Sequence, residues 1–341
     1  MPTFRAAIIG GGNIADSNHI PALKQLPDRA EVVAVCSRDL AKARSLADRH
    51  GIAKAFQDAD TMYREAKPNV VVICTPNNLH YPFAMQALKQ GCHVFCEKPP
   101  AVSAHEGREM ANLATRQNLT LAYNFQLRQA PEWSLLTRCR DQGLLGEIYH
   151  IKAKFLRRRG IPGWGYFTNK AMQGGGALMD LGVHVLDLAL YTLGYPTPDQ
   201  VLGNTYDFIG KSGGKGLMGD WNPSTFEVED ACMAYLSFPN KASIELSASF
   251  ALNQQADKDR NLDVFGSRAG ATLFPFSLHT EIAGELADVR FPYLADENIQ
   301  LKNTIAFLDA CDGLPSTVCT AEQGAILMDI VERIYQSSSA S

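Results

Sequence analysis

An apolar strand pattern runs directly into three glycines near the start of the chain. Residues 4–9 fit a strand, Gly10–Gly12 form a turn, and a helical pattern that includes Ala15 follows. In the dinucleotide fingerprint the first glycine permits the tight turn, the second lets a pyrophosphate approach the backbone, and a third small residue lets helix and strand pack closely. The helix N-terminus offers N–H groups to phosphate, although a purely structural turn is the alternative. The sequence predicts cofactor-phosphate contacts at Gly10, Gly12, Asn13 and Ile14.

The first third of the chain alternates β-rich runs with helical patterns. One helical segment, residues 41–50, ends at Gly51 as a C-terminal cap does. This alternation is typical of a parallel sheet built from βαβ units, so we expect an α/β Rossmann domain over residues 1–123. The predicted strands are 4–9, 31–36, 55–56, 70–74, 93–96 and 119–123.

After residue 123 the pattern changes to one long helix followed by strands. The helical pattern covers residues 177–193 and ends at Gly194, and a final amphipathic helix covers about residues 321–335. Strands without helices between them predict a mostly antiparallel sheet, and hence an α+β second domain over residues 124–341. The predicted strands are 201–207, 230–237, 242–248, 262–266 and 271–273.

The composition is that of a folded globular protein, with 46% hydrophobic residues, 20% charged residues and a net charge of −4. No overall positive field would attract nucleic acid, and the basic run at residues 152–159 fits a solvated strand face or a phosphate contact. The start of the chain shows no signal peptide and the apolar segments are short, so we expect no membrane span and a cytoplasmic location. The eight cysteines are expected to be reduced. Cys92 and Cys96 lack a second pair, so no zinc site is expected.

The end of the second predicted strand bears on the choice of cofactor. An acidic residue there would accept the 2′-hydroxyl of NAD, whereas this chain has Ser37, Arg38 and Asp39. Ser37 can hydrogen-bond a phosphate, and Arg38 can bind one as a permanently charged fork. The alternative is that Arg38 stacks on adenine without selecting between NAD and NADP, while Asp39 caps the next helix. The residues favour NADP over NAD.

Glu97-Lys98-Pro99 follows directly after the predicted strand 93–96, at a carboxyl end where open α/β sheets bind ligands. An ammonium there can stabilise an alkoxide or share its proton while a hydride moves to a nicotinamide. Glu97 can tune Lys98 or contact the cofactor ribose. A solvated surface lysine is the alternative reading of Lys98.

Asp180 and His184 are four residues apart on the predicted helix and therefore share a face. A histidine with a pKa near the ordinary ~6.5 can take or give a hydroxyl proton near neutral pH. Asp180 can orient the imidazole or bind a substrate hydroxyl. The alternative is a core histidine satisfied by Asp187, which we interpret as structural. Nothing supplies the third and fourth ligands of a metal site.

Further candidates follow the last Rossmann strand or lie within the Gly-rich segment 160–165. Asn124 and Arg128 can reach the nicotinamide or the substrate. Trp164 can line a substrate pocket, with plain packing as the alternative.

Taken in order, these motifs resemble those of the Gfo/Idh/MocA oxidoreductases. The resemblance rests on the glycine turn, the segment Thr75-Pro76-Asn77-Asn78-Leu79-His80, Glu97-Lys98-Pro99 and the run from Gly174 to His184. It implies a Rossmann domain, a second domain with a large open sheet, and sugars, inositols or related polyols as substrates. It also implies a cis bond after Lys98, a catalytic group of Lys98, Asp180 and His184, and cofactor contacts from Thr75, Pro76, Asn77 and His80. A turn with a helix cap is the alternative for that last segment. Members of the family often have Arg after the tryptophan, where this chain has Gly165, which predicts a differently shaped pocket.

The sequence thus predicts reversible hydride transfer between NADP or NAD and a secondary alcohol on a sugar-like polyol. Two other classes fit the same residues: a glycosidase that uses tightly held NAD for transient oxidation, and a non-catalytic NADP(H)-sensing protein. An open sheet leaves a face to be covered, so we expect a homodimer or homotetramer.

Overall fold

The structure is a computed structural model that describes residues 3–340, which form two compact units. The first unit comprises the residues up to Gln129 together with Asn298–Ala325, and the second comprises Ala130–Glu297 together with the residues from Ile326 onward. These units divide the chain differently from the predicted domains 1–123 and 124–341. The first unit extends a few residues further, and a C-terminal segment returns to it.

The first unit contains a seven-stranded sheet in the order β15-β6-β5-β4-β1-β2-β3. All neighbours are parallel except β15, which pairs antiparallel with β6. Its first six strands are β1 Phe4–Ile9, β2 Ala30–Cys36, β3 Ala55–Phe56, β4 Val70–Ile73, β5 His93–Cys96 and β6 Leu121–Tyr123. The helices between them are α1 Ile20–Lys24, α2 Leu40–His50, α3 Ala59–Ala66, α4 His80–Lys89 and α5 Ala104–Gln117. The central strand β4 is apolar and fully buried, as a strand covered on both faces requires.

The second unit is built on an eight-stranded sheet in the order β14-β13-β12-β11-β7-β10-β9-β8. The neighbours β7 and β10 are parallel and the other pairs are antiparallel, so the mostly antiparallel sheet is confirmed. Its strands are β7 Ile148–Arg157, β8 Gln200–Tyr206, β9 Ala231–Ser237, β10 Ser243–Ser249, β11 Lys258–Gly266, β12 Gly270–Thr272, β13 Ser277–Ile282 and β14 Glu285–Arg290. Its helices are α6 Pro131–Asp141, α7 Lys170–Gln173, α8 Val183–Leu193 and α9 Phe208–Ser212.

The segment that returns to the first unit consists of α10 Ile299–Cys311, β15 Cys319–Thr320 and the start of α11 Ala321–Ala340. Phe307 of α10 is fully buried and stacks on Phe95 of β5 with ring centroids 4.6 Å apart. A buried, stacked aromatic pair stabilises this packing beyond the apolar area that it buries. The sequence predicted neither α10 nor its packing on the sheet of the first unit, because an amphipathic pattern does not reveal which sheet a helix covers.

The stretch Lys170–Leu193 has the length and mean hydropathy of a membrane-spanning helix, but 83% of its most apolar window is buried inside the protein. This burial is what a helix at the centre of a hydrophobic core shows.

Candidate functional site

The turn after β1 is shaped by close contact with the ends of two neighbouring strands. Gly10 has φ +108°, and its N–H donates to the carbonyl of Cys36 at 2.8 Å. A Cβ on Gly10 would lie 2.4 Å from the carbonyl oxygen of Cys74, so only glycine fits. A Cβ on Gly12, by contrast, would meet nothing within 4 Å. The turn therefore leaves open space over Gly12, which is the space that a diphosphate needs to approach the backbone.

The helix after this turn begins with a π-helical turn over Ala15–His19 and continues as α1. Ala15 is fully buried, as close packing of helix on strand requires. Asn13 is exposed, and the side chain of Ile14 is 41% exposed. The two residues thus flank the open space at the start of the helix.

At the end of β2, Asp39 caps α2, as one of the sequence alternatives held. Its carboxylate accepts the N–H groups of Ala41 at 3.0 Å and Lys42 at 3.3 Å. The polar side chains left at this strand end are Ser37, which lies beside Gly11, and the exposed Arg38.

Behind Lys98 lies a buried ion pair that the sequence did not predict. The Oε1 atom of Glu97 lies 2.7 Å from Nε2 of His19, with the two side chains 13% and 1% exposed. Burial by itself would lower the pKa of His19, but the sulfur of Cys74 and then the carboxylate of Glu97 raise it to about 10. Burial also raises the pKa of the Cys74 thiol, and the neighbouring His19 opposes that rise. Burial would raise the pKa of Glu97, but the hydrogen bonds with His19 and Asn124 and the positive charges of His19 and Lys98 together lower it.

Asn124 joins this pair to the returning helix α10. Its Nδ2 donates to Glu97 at 2.7 Å and to Gln300 at 3.1 Å, and its Oδ1 accepts from Asn303 at 2.7 Å. The buried Arg128 donates from Nη1 to Gln323 at 2.8 Å and to the carbonyl of Thr317 at 3.3 Å. The observed role of both side chains is to tie the returning segment to the sheet. Their contact with nicotinamide or substrate stays a prediction.

His80 braces two loops at the edge of the parallel sheet. Its Nδ1 lies 2.8 Å from the carbonyl oxygen of Pro99, and its Nε2 lies 3.0 Å from that of Thr75. Burial lowers its pKa, so the ring is neutral and donates to one carbonyl at a time. The Lys98–Pro99 peptide bond is cis, as the resemblance implied. His80 is fully buried and so holds the loop of Lys98 against the loop of Thr75. Direct cofactor contact by His80, Pro76 and the largely buried Asn77 stays a prediction.

Asp180 and His184 belong to the second unit, whereas Lys98 belongs to the first. Asp180 lies in a π-helical turn, Leu178–Gly182, and His184 lies in the first turn of α8. His184 is 9% exposed, and its ring centroid lies 6.5 Å from that of Phe155 on β7. Asp187 is fully buried and accepts the hydroxyl hydrogen of Tyr195, which agrees with the structural role predicted for it.

The start of this helix is held by Glu229, which the sequence did not single out. Its carboxylate accepts the N–H groups of Gly176 and Leu178 and the hydroxyl of Tyr335, each at 2.9 Å. A Cβ on Gly176 would lie 2.0 Å from the carbonyl oxygen of Glu229, which accounts for glycine at that position. A signal was available in the sequence, because Glu229 stands with Asp230 just before an apolar strand.

Trp164 is 54% exposed and contacts Phe167 edge-on, with ring centroids 6.3 Å apart. It is therefore outside the buried core of the second unit. Gly165 has φ +65°, a left-handed conformation that glycine adopts without strain. Substrate contact by Trp164 stays a prediction.

Among residues 3–340, no three His, Cys, Asp or Glu side chains are grouped so that they could hold a metal ion. The first unit thus carries a glycine turn and a lysine on a braced loop, and the second unit carries an Asp and His pair on a helix held by a buried carboxylate.

Comparisons with known proteins agree with this architecture. The chain matches the Gfo/Idh/MocA oxidoreductase family model, an NAD-binding Rossmann fold, over residues 4–125, and the corresponding C-terminal domain model over residues 134–272. It is 41% identical to the D-glucoside 3-dehydrogenase of Escherichia coli K12 over 98% of this chain and 95% of that protein. A putative UDP-kanosamine synthase oxidoreductase subunit of Amycolatopsis mediterranei is 32% identical over 82% of this chain and 78% of that one.

Among solved structures, a levoglucosan dehydrogenase in complex with NADH and levoglucosan superposes with a TM-score of 0.85 at 20% identity, covering 99% of this chain and 97% of that one. This likeness shows a shared fold. From the two domain matches and the full-length similarity, the chain belongs to the Gfo/Idh/MocA family of oxidoreductases.

Proposed function

We propose that the chain is an NAD(P)-dependent dehydrogenase that reversibly oxidises a ring hydroxyl of a glucoside-like sugar to a ketone. The observation that carries the proposal is the 41% identity to a D-glucoside 3-dehydrogenase over 98% of the chain. The glycine turn, with open space over Gly12, supports it from the structure because the turn fits a diphosphate.

The candidate residues identified from the sequence have separate roles in this oxidation. A bound nicotinamide would supply the hydride acceptor. His184 takes the proton of the sugar hydroxyl, which is the task that suits an imidazole near neutral pH. Lys98 places its ammonium against the developing oxyanion, and Asp180 hydrogen-bonds a substrate hydroxyl or the imidazole.

The end of β2 supports a preference for NADP. The carboxylate of Asp39 caps α2. Ser37 and Arg38 are therefore the side chains at this strand end that contact the ribose. We expect NADP to be accepted at least as well as NAD. Replacing Arg38 by Ala should lower kcat/KM for NADP about tenfold and leave that for NAD nearly unchanged, because one charge-assisted contact to a phosphate is lost. Arg44→Ala, an exposed change on α2, is the matched control.

The reaction is tested by a panel of D-glucosides and polyols, with NAD and NADP supplied separately and nicotinamide absorbance as the readout. Reduction of the nicotinamide by a glucoside supports the proposal, and NMR of the product locates the ketone. His184→Asn should lower kcat about 100-fold or more, and Lys98→Met by a comparable factor. His105→Asn and Lys89→Met, both exposed changes, should act like wild type. Cleavage of a glycosidic bond without net nicotinamide reduction would favour the glycosidase instead, and tight cofactor binding with no turnover would favour the sensor.

The chain self-associates through the outer face of the eight-stranded sheet, as a homodimer or homotetramer. Leu202 and Tyr235 are cross-strand partners on this face, 60% and 47% exposed, and Glu245 pairs in register with Lys152 further along the same row. Exposed apolar side chains beside charges of both signs suit a self-complementary contact. Light scattering should give a multiple of the chain mass in wild type and a smaller mass in Tyr235→Glu. A monomeric wild type contradicts this part of the proposal.

A further inference from the structure

Three cationic side chains share one small area of the inner face of the second unit's sheet. Lys258 on β11 stands in register opposite Arg157 on β7, and Arg260 stands opposite Phe155. Side chains two residues apart on a strand lie on the same face, so these four residues form a single block. Like charges directly opposite each other on a sheet are destabilising.

Phe155 lies at the centre of this cationic block, and its side chain is nearly buried. Its ring centroid is 5.7 Å from Cζ of Arg157, 5.5 Å from Nζ of Lys258 and 5.8 Å from Cζ of Arg260. Cζ of Arg260 also lies 4.5 Å from the ring centroid of Phe274. The rings give the cations a weak attraction but carry no net negative charge to balance them.

Within the described part of the chain, no carboxylate lies within 4 Å of any of the three cations. Among residues 3–340, the side chain of Arg157 donates to the carbonyl of Gly160 alone, at 3.2 Å. The carboxylates that act from further away are Asp180, which partly offsets the effect of burial on Arg157, and Glu132, which does so for Arg260.

Burial is the main cause that lowers the pKa of each cation, and for Lys258 the neighbouring Arg260 and Arg157 lower it further. Each group still carries its charge near neutral pH, because arginine and lysine begin from pKa values far above it. The block therefore holds three partly desolvated positive charges whose mutual repulsion an anion would relieve.

The block lies beside the helix that carries the proposed catalytic pair. Phe155 at its centre is the ring that faces His184, with centroids 6.5 Å apart, and Asp180 acts electrostatically on Arg157. The cationic block and the proposed catalytic pair are thus close enough for one substrate molecule to contact both.

We propose that Arg157, Lys258 and Arg260 form an oxyanion subsite that binds a phosphate or carboxylate group carried by the sugar substrate. Two guanidinium groups match such a group bidentately and the ammonium adds a point charge, which is the donor set that phosphate and carboxylate recognition uses. The inference rests on the proposed dehydrogenase function and adds a substrate class to it: sugars with an anionic substituent are preferred over neutral glucosides.

The test compares kcat/KM for glucose 6-phosphate, glucuronic acid and methyl β-D-glucoside in the same buffer. Wild type should favour at least one of the two anionic sugars over the neutral one by about tenfold or more, and the better of the two tells phosphate from carboxylate. Arg260→Gln should reduce that ratio about tenfold, since a hydrogen bond to a charged group is lost. Lys258→Gln, at an exposed position, provides a second variant if Arg260→Gln does not fold. Arg290→Gln removes the same charge from exposed strand β14 and should keep the wild-type ratio.

The outcomes separate the subsite from the function. Two results would overturn the subsite while the dehydrogenase function stands, provided that the neutral glucoside is oxidised. In one, wild type shows no preference for the anionic sugars. In the other, Arg260→Gln shows the same preference as wild type. If no sugar is oxidised, the function fails, and calorimetry with glucose 6-phosphate decides the subsite by comparing wild type with Arg260→Gln. If Arg260→Gln weakens NADPH binding as much as it weakens sugar binding, the cations serve the cofactor and the proposal falls.

Discussion

Replacing Glu229 by Gln changes one of the two carboxylate oxygens at the start of the helix that carries Asp180 and His184 into an amide nitrogen. In wild type, Oε2 accepts from Gly176, and Oε1 accepts from Leu178 and from the hydroxyl of Tyr335. The amide keeps one acceptor, so at least one buried backbone N–H faces another donor. We therefore expect this single isosteric change to weaken the attachment of the helix.

The magnitude follows from these contacts. A hydrogen bond to a charged group contributes about 1.5–3 kcal/mol, and an unsatisfied buried donor costs about 1–3 kcal/mol. Burial raises the pKa of Glu229, so the charged carboxylate carries a desolvation penalty that the neutral amide does not, which offsets part of the loss. The net destabilisation of Glu229→Gln should be about 2–3 kcal/mol. For a domain of this size, it corresponds to a fall in Tm of about 5–10 °C.

The assay is thermal unfolding of the two forms in the same buffer, followed by circular dichroism. Glu227→Gln is the matched control, because Glu227 accepts from Asn169 and the N–H of Lys170 at an exposed site and its loss should shift Tm by less than about 2 °C. If Glu229→Gln melts within about 1 °C of wild type, the carboxylate does not anchor the helix and the reasoning is wrong.

The remaining predictions concern the first unit. The folded-state pKa of His19, about 10, lies above its ordinary value of 6.5, so its contribution to stability is full below that ordinary value and is lost as pH rises toward the folded-state value. Chemical denaturation of wild type and His19→Gln across this range should show their difference shrinking with pH, whereas a constant difference would refute the buried ion pair. Gly10→Ala should destabilise by about 3 kcal/mol or more because its Cβ would meet Cys74, whereas Gly51→Ala, with φ +62° and nothing within 4 Å, should cost only about 1–2 kcal/mol by the same denaturation. Equal losses would show that the clash does not govern the turn.

The glycine turn and its strands were predictable because they are local. The bounds of β1, β3 and β5 agree with the predicted strands, and the long helix ends at Gly194 as expected, with φ +82°. In each case a few neighbouring residues fix the conformation: apolar runs for the buried strands and a left-handed glycine for the helix end.

The buried network around Glu97 was not predictable from local patterns. His19 lies 78 residues away in sequence and Gln300 follows 176 residues after Asn124, so no periodicity connects them. A histidine four residues after Ala15, on the buried side of a helix, was the one available signal. Its partner becomes evident only when the strand ends meet at one edge of the sheet.

Strand β7 shows a different kind of miss. Its inward residues Ile151, Ala153 and Phe155 alternate with Lys152 and Lys154, which is a half-buried strand pattern that the sequence displays. The basic residues are interpreted from the sequence as a solvated strand face or a phosphate contact, but the bounds of the strand are not predicted. The cationic block, by contrast, needs the register between β7 and β11, which only the structure provides.

The proposed activity requires a dinucleotide to lie over the glycine turn, and calorimetric titration of the purified chain with NADH and NADPH tests this directly. Because a Cβ on Gly12 would meet nothing within 4 Å, Gly12→Val should fold like wild type while its side chain fills the space for the diphosphate. We predict saturable uptake of one dinucleotide per chain by wild type and affinity at least about tenfold weaker in Gly12→Val, at an unchanged Tm. No uptake by folded wild type, or equal uptake by both forms, would contradict the account.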